Sequence, residues 1–325
     1  MLAEIEITPI HWVGFVVVVL LFLSLDLGVF HRHAHVVNFK EALVWTTVWF
    51  TLSMLFGGGL WKLSSKDDAI EFLTGYIIEL SLSMDNVFVI ALIFAYFRVP
   101  LEYQHRVLFW GILGAFIMRG VMIGVGAALI QRFNWLLYLL GVFLVFTGVK
   151  MIFTGDEPPH PEKNVFIRLA RKFFPVTAEF EGQRFWTRVG GQQALTPLAL
   201  VLLMVESTDL IFAVDSIPAI FAVTQKPFIV FTSNVFAVLG LRSLYFVLAG
   251  AIRYFRYLKV GLSLVLSFIG VKMLLVAWNI HIETAMSLAV VAAIILTSIV
   301  FSVIVARRDT AGRDGSGAGP EAESP

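Results

Sequence analysis

Nine runs dominated by Val, Leu, Ile, Phe and Ala recur along this chain, at 12–30, 42–61, 72–97, 107–130, 134–153, 196–222, 227–250, 258–278 and 284–306, with polar connections between them. Each approaches the roughly 20 residues that a helix needs to cross a bilayer. Lipid offers no water to unpaired backbone groups, and barrel strands would show short alternating runs instead, so every run is predicted as a helix. The expected fold class is an all-α polytopic membrane protein of about nine transmembrane helices.

A repeat is visible within this pattern. Gly148-Val149-Lys150-Met151 recurs as Gly270-Val271-Lys272-Met273, and each follows a mid-span arginine, Arg119 or Arg242. Upstream of each arginine a span carries an Asp followed by a polar residue, Asp85-Asn86 or Asp215-Ser216. Spans 3–5 and 6–8 thus read as two three-helix units. An odd number of spans per unit inverts the second copy, the arrangement that lets transporters alternate access around a midplane site. The expected organisation is two N-terminal spans (1–71), a first repeat (72–153), a cytoplasmic loop (154–195), an inverted second repeat (196–278), a last span (279–308) and a disordered tail (309–325).

Lys and Arg placement orients the chain. With the N-terminus outside, sixteen basic residues fall in cytoplasmic connections and four in outer ones, and the positive-inside bias decides for N-out, C-in. The N-terminus lacks the basic n-region of a cleaved signal, so the first run is read as a retained span. In the loop, Asn164 to Phe173 places Phe166, Leu169, Ala170 and Phe173 at helical spacing with basic residues opposite, which suits the lipid headgroup layer. A hairpin is expected around Phe180-Glu181-Gly182-Gln183. The tail is too poor in apolar residues to order itself.

Composition narrows the chemistry. Charged residues make up only 14% of the chain against 58% hydrophobic, where a soluble domain carries about 25% charged. The net charge of +1 sits in loops, and no nucleic-acid partner is expected. There are no cysteines, so thiolate metal sites and disulfides are excluded. No Gly-x-x-x-x-Gly-Lys run is present, and neither ATP-driven pumping nor an enzyme is expected.

Six acids nevertheless lie inside the spans: Asp26, Glu79, Asp85, Glu206, Asp209 and Asp215. A carboxylate at the bilayer centre costs about 2.5–3.5 kcal/mol unless it meets a cavity, a partner or a cation. Glu206 and Asp209 share a helix face. Glu79 to Asp85 and Asp209 to Asp215 are each six apart, about 240° of turn, so aiming each pair at one point requires a broken helix. Pro218 offers a break in span 6 that would free the Val214 carbonyl; in span 3 the distortion, at Ser83-Met84-Asp85, is inferred from symmetry. With Asn86, Ser216 and backbone oxygens these acids make a hard-ligand set for Mg²⁺, Ca²⁺ or Mn²⁺. Met84 is either a soft ligand or packing. Arg119 and Arg242 could instead hold carboxylates in a purely structural network, and each is expected to do so in part. Asp26 stands apart, near His31, His33 and His35, which either collect metal at the inner mouth or form a solvated loop.

Ser83-Met84-Asp85-Asn86, the run from Val205 to Ile220 with Glu206, Asp209 and Asp215-Ser216-Ile217-Pro218, and Leu25-Asp26 to His33 resemble the TerC/Alx family of bacterial inner-membrane proteins, placed in the LysE transporter superfamily. The resemblance covers about residues 1–308. It implies a manganese exporter of the bacterial inner membrane, in a family first named for tellurium resistance, with an acidic core at Glu79, Asp85, Glu206, Asp209 and Asp215 and Mn²⁺ as transported substrate. Alternatives stay open: an exporter of a small organic cation or amino acid, which would need a roomier cavity, or a non-transporting membrane subunit for metallation or tellurite resistance.

Overall fold

The computed structural model describes residues 8–25, 38–153, 161–249 and 258–315, the backbone alone for 25, 249 and 306–315. Ten helices are present among them: α1 (Pro9–Leu25), α2 (Phe39–Leu63), α3 (Lys66–Tyr96), α4 (Leu101–Arg132), α5 (Leu136–Phe153), α6 (Val165–Phe173), α7 (Pro197–Phe221), α8 (Pro227–Ala249), α9 (Leu258–Leu275) and α10 (Thr284–Gly315). A single antiparallel hairpin joins β1 (Trp186–Val189) to β2 (Gln192–Leu195). The protein is an all-α polytopic membrane protein. Eight helices are long and apolar enough to cross a bilayer, and α1 is a shorter apolar helix.

Helices overrun the apolar windows where polar residues cap them. The Ser65 side chain accepts the Asp68 amide at the start of α3, and Asp67 and Asp68 sit in its first turn, where they complement the helix dipole. Thr196 does the same for α7, with Pro197 at the position where a missing N–H costs nothing. At the far end, α10 runs past Arg308 to Gly315, into the segment expected to be disordered.

Two expected breaks do not occur. α7 is continuous through Pro218, and α3 is continuous through Ser83-Met84-Asp85. Pro218 lies in the last turn of α7, so the one amide it removes interrupts the ladder only near its end, where Ala222 N still bonds to Pro218 O.

The buried centre is α3 with α8. α3 also packs on α2, α7 and α10, while α4 lies against both α7 and α8. An aromatic cluster of Trp12, Phe15, Phe56, Phe228, Phe231 and Phe236 ties α1 and α2 to α8, with ring centroids 5.1–6.5 Å apart, in the range where edge and tilted contacts are favourable.

α5 and α9 cross backbone to backbone. A Cβ at Gly148 would lie 2.7 Å from Ser263 O and 2.8 Å from Ser267 N, and one at Gly270 would lie 2.7 Å from Gly141 O and 2.8 Å from Val145 N. Small residues let membrane helices approach this closely, with packing rather than solvent exclusion holding them. Gly148→Ala or Gly270→Ala is therefore expected to destabilise by about 1–3 kcal/mol. Gly124→Ala, with nothing within 4 Å of the new Cβ, is the control. Thermal melts of the purified protein in detergent should show a lowered midpoint for the first two alone.

The loop forms α6 where the apolar spacing predicted it. Asn164 caps it, accepting from the Phe166 and Ile167 amides, while its Nδ2 donates to Ser207 Oγ of α7 at 2.6 Å. The hairpin is present, but its turn is Gly190-Gly191 rather than Gly182: both glycines have positive φ, which a two-residue hairpin turn of this hand demands.

At the other end of α7, Lys226 pairs with Asp68 and, at 3.2 Å, with Glu71, clamping the α7–α8 turn to α3. Burial alone would lower the Lys226 pKa, but the Asp68 hydrogen bond and the charges of Glu71 and Asp68 outweigh it and raise it. Its ammonium stays charged throughout the neutral range; the stabilisation is fully present below its ordinary pKa and fades only as alkaline pH passes the raised value.

Candidate intramembrane carboxylate site

Arg119 of α4 organises the polar interior. Its Nε and Nη2 donate to Asp209 Oδ2 and Oδ1 at 3.1 and 2.8 Å, a bidentate grip, while Nη1 donates to Asn234 Oδ1 at 3.0 Å and to Glu79 Oε1. Asn86 Nδ2 donates to Asp209 Oδ1 at 2.8 Å. One guanidinium thus binds α3, α4, α7 and α8 at a single point, with Arg119 2%, Glu79 1%, Asp209 4% and Asn234 0% exposed. Such burial costs several kcal/mol per ion and is tolerated only with this degree of pairing. The part-structural role expected of Arg119 is observed.

The grip is incomplete. Glu79 Oε2, Asn86 Oδ1 and the Ser83 and Ser216 hydroxyls have no hydrogen-bond partner among the described residues. Two carboxylates share Arg119, and Arg242, also buried, lines a cavity of about 20 Å³ together with Asn86 and Asp209. A second cavity of about 10 Å³ lies by Arg119 and Asn234. These hold a water or a bare ion and nothing larger.

Contacts between α3 and α7 set the heights of the remaining acids. Thr224 Oγ1 meets Glu71 and Asp209 meets Asn86, so each step up α3 is matched by one step back along α7. Asp85 then shares a level with Asp209, and Glu79 with Asp215. The two levels are about 9 Å apart, at 1.5 Å per residue over six residues.

Because both helices are unbroken, the six-residue spacing turns Asp85 and Asp215 away from the faces that carry Glu79 and Asp209. Asp215 is half-buried, accepts a hydrogen bond from Thr147 of α5 and lies near Lys150. Asp85 is half-buried too. Glu206 rests its carboxylate against Gly114 of α4, in the space that any side chain there would fill. Among the described residues no three His, Asp or Glu side chains converge closely enough to hold a metal ion, so the expected five-carboxylate cluster is divided in this conformation. Met84 packs against the apolar cluster around Ile90 and Val205. Asp26, His31, His33 and His35 lie outside the described residues.

Three contributors escaped the sequence reading. Asn234 had a signal, the Thr232-Ser233-Asn234 run of polar residues inside an apolar span. Thr147 and Gly114 had none, since a glycine or threonine in a membrane helix is common packing material.

A family profile described as "Integral membrane protein TerC family" matches residues 64–310. An "Uncharacterized membrane protein" of Myxococcus xanthus is 51% identical over 300 residues, 92% of this chain and 94% of its own length. The "Putative membrane-bound redox modulator Alx" of Escherichia coli is 45% identical over 317 residues, 95% of this chain and 98% of its own. A further "Uncharacterized membrane protein", from Rickettsia bellii, is 41% identical over 293 residues, 90% of this chain and 97% of its own. No solved structure matches.

Proposed function

The chain belongs to the TerC family of integral membrane proteins, and from that premise we propose that it exports a divalent metal ion, manganese, across the bacterial inner membrane. The observation that carries this reading is the buried Glu79–Arg119–Asp209 bridge, in which Glu79 keeps an unpartnered oxygen, while Asp209 and Asn86, the latter with an unpartnered amide oxygen, line a cavity of about 20 Å³. Arg119 acts as a built-in counter-cation between two levels, Asp85 with Asp209 and Glu79 with Asp215. A metal ion arriving at either level competes with the guanidinium for the same carboxylate. Displaced from one acid, Arg119 stays on the other, so the two levels are loaded in turn and the interior never holds all its acids uncompensated. Asn86 and Ser216 supply neutral oxygens, and Glu206 draws the ion in along α7. The deciding experiment is metal flux in vesicles across a series of divalent ions. Uptake-independent loss of manganese from loaded vesicles supports the reading, and no flux of any divalent ion sinks it.

A substrate as large as an amino acid fits neither cavity. The word "redox" in the relative's name reaches this chain only in a form that needs no thiol, because it has no cysteine.

Alternating access through an inverted repeat is part of the same proposal. The α5–α9 contacts support it, because Gly148 and Gly270, Gly141 and Ser263, and Val145 and Ser267 are all separated by the same interval, and each contact has its reciprocal at nearly the same distance. The helix pairings support it as well: α3 on α8 is the counterpart of α7 on α4. Single cysteines in this Cys-free chain test it together with the N-out, C-in orientation. Positions in 161–195 should label only from the cytoplasmic side and Lys226→Cys only from outside. Labelling of both from the same side would remove the inverted arrangement.

A further inference from the structure

The hairpin carries a feature that transport does not use. Side chains alternate along β1, whose outer face presents Trp186 and Arg188, with Arg184 two residues before Trp186 and Gln193 paired across from Arg188, all exposed. These residues, together with Thr187, line one open concavity. The intervening side chains are engaged elsewhere: Phe185 lies under the Arg106 guanidinium of α4, and the Thr187 hydroxyl donates to Glu181. No ion pair engages Arg184 or Arg188 among the described residues.

α6 continues this surface. Its last turns expose Arg168, Arg171 and Lys172 together with Leu169 and Phe173, and Phe174 stacks edge-on against Trp186 with centroids 5.0 Å apart. Exposed arginines interleaved with exposed aromatic rings suit the level where acyl chains give way to headgroups: the rings enter the interface and the cations meet phosphate.

The surface also sits where α7 begins. Leu195 N bonds to Pro175 O, Thr196 N to Phe185 O, and the Thr196 hydroxyl to Arg184 O, so the concavity is built onto the cap of that membrane-crossing helix.

We propose that the concavity formed by Arg184, Trp186, Arg188 and Gln193, extended by Arg171 and Lys172 at the end of α6, is a binding site for the headgroup of an anionic phospholipid. The two arginines grip the lipid phosphate and its acidic substituent, Gln193 donates to a headgroup oxygen, and Trp186 with Phe173 packs on the upper acyl chains. The charge favours an anionic over a zwitterionic lipid, and the aromatic rings favour a lipid over a free phosphate.

The test uses the full chain, purified in detergent and titrated with phosphatidylglycerol or phosphatidylcholine, with bound lipid counted by native mass spectrometry. Phosphatidylglycerol should bind at least tenfold more tightly than phosphatidylcholine. Arg184→Gln with Arg188→Gln should weaken it about ten- to thirtyfold, as expected for two basic groups at an anionic surface, while Lys62→Gln with Arg132→Gln, away from the hairpin, leaves it unchanged. Trp186→Ala should weaken both lipids alike. Equal binding of the two lipids, an unaffected Arg184/Arg188 variant, or displacement of the lipid by millimolar inorganic phosphate would each overturn the proposal. An unchanged thermal midpoint for the Arg184/Arg188 variant confirms that the loss is not one of folding.

Discussion

Asp209→Asn is expected to abolish manganese efflux, by at least about 100-fold, the loss that 2.7 kcal/mol represents. The substitution removes one of the two carboxylates that Arg119 bridges and takes away the oxygen on which its bidentate grip depends. Removing one partner of a buried pair also destabilises by about 3–5 kcal/mol, because a charge is left unmatched. Loss of transport alone is therefore ambiguous, and a neutral triple variant resolves it. Glu79→Gln with Arg119→Leu and Asp209→Asn leaves no buried charge in the bridge and should restore the amount of folded protein in the membrane. Under the transport reading that variant is folded and inactive. If it moves manganese at the normal rate, the bridge is structural only and the cation path lies elsewhere. Asp85→Asn and Asp215→Asn, at half-buried positions, should lose efflux with little loss of folded protein.

Much of the fold was open to reading one helix at a time. Every apolar run from 42–61 to 284–306 became a helix with ends shifted by up to nine residues, because lipid permits a spanning segment little else. α6 was legible for the same reason: Phe166, Leu169, Ala170 and Phe173 recur at the helical period. The site was legible in membership more than in grouping. Intramembrane acids announce themselves by their cost, but which of them meet depends on the rotation of each helix and on the reach of one long side chain. Arg119 reaches Asp209 and Glu79 on helices separated by more than a hundred residues of sequence, a contact that no local pattern encodes.

The break assigned to Pro218 failed because a proline disrupts only the turn before it, and here that turn is nearly the last. From that one difference the divided carboxylates follow. An intact α7 cannot aim Asp209 and Asp215 at the same point, and Asp215 turns to Thr147 instead.

Efflux is also expected to require the proton gradient. Moving a divalent cation out against an inside-negative potential costs about 4.6 kcal/mol per 100 mV, twice the cost for one elementary charge, so an ion leaving alone would need a large outward concentration gradient. The interior offers an exchange. A buried carboxylate that releases metal toward the outside can take up a proton in its place, which removes the negative charge that the ion had compensated. Arg119 holds Asp209 and Glu79, and the half-buried acids outside that bridge, Asp85, Glu206 and Asp215, are the expected proton acceptors. Manganese efflux should therefore be matched by inward proton movement, and it should slow as external pH rises, because fewer protons are available to replace the ion. In vesicles loaded with manganese, an external pH indicator should report alkalinisation that disappears in Asp85→Asn with Asp215→Asn. Uphill manganese movement that persists at full rate after the proton motive force is collapsed, in vesicles holding no other ion gradient, would eliminate proton exchange.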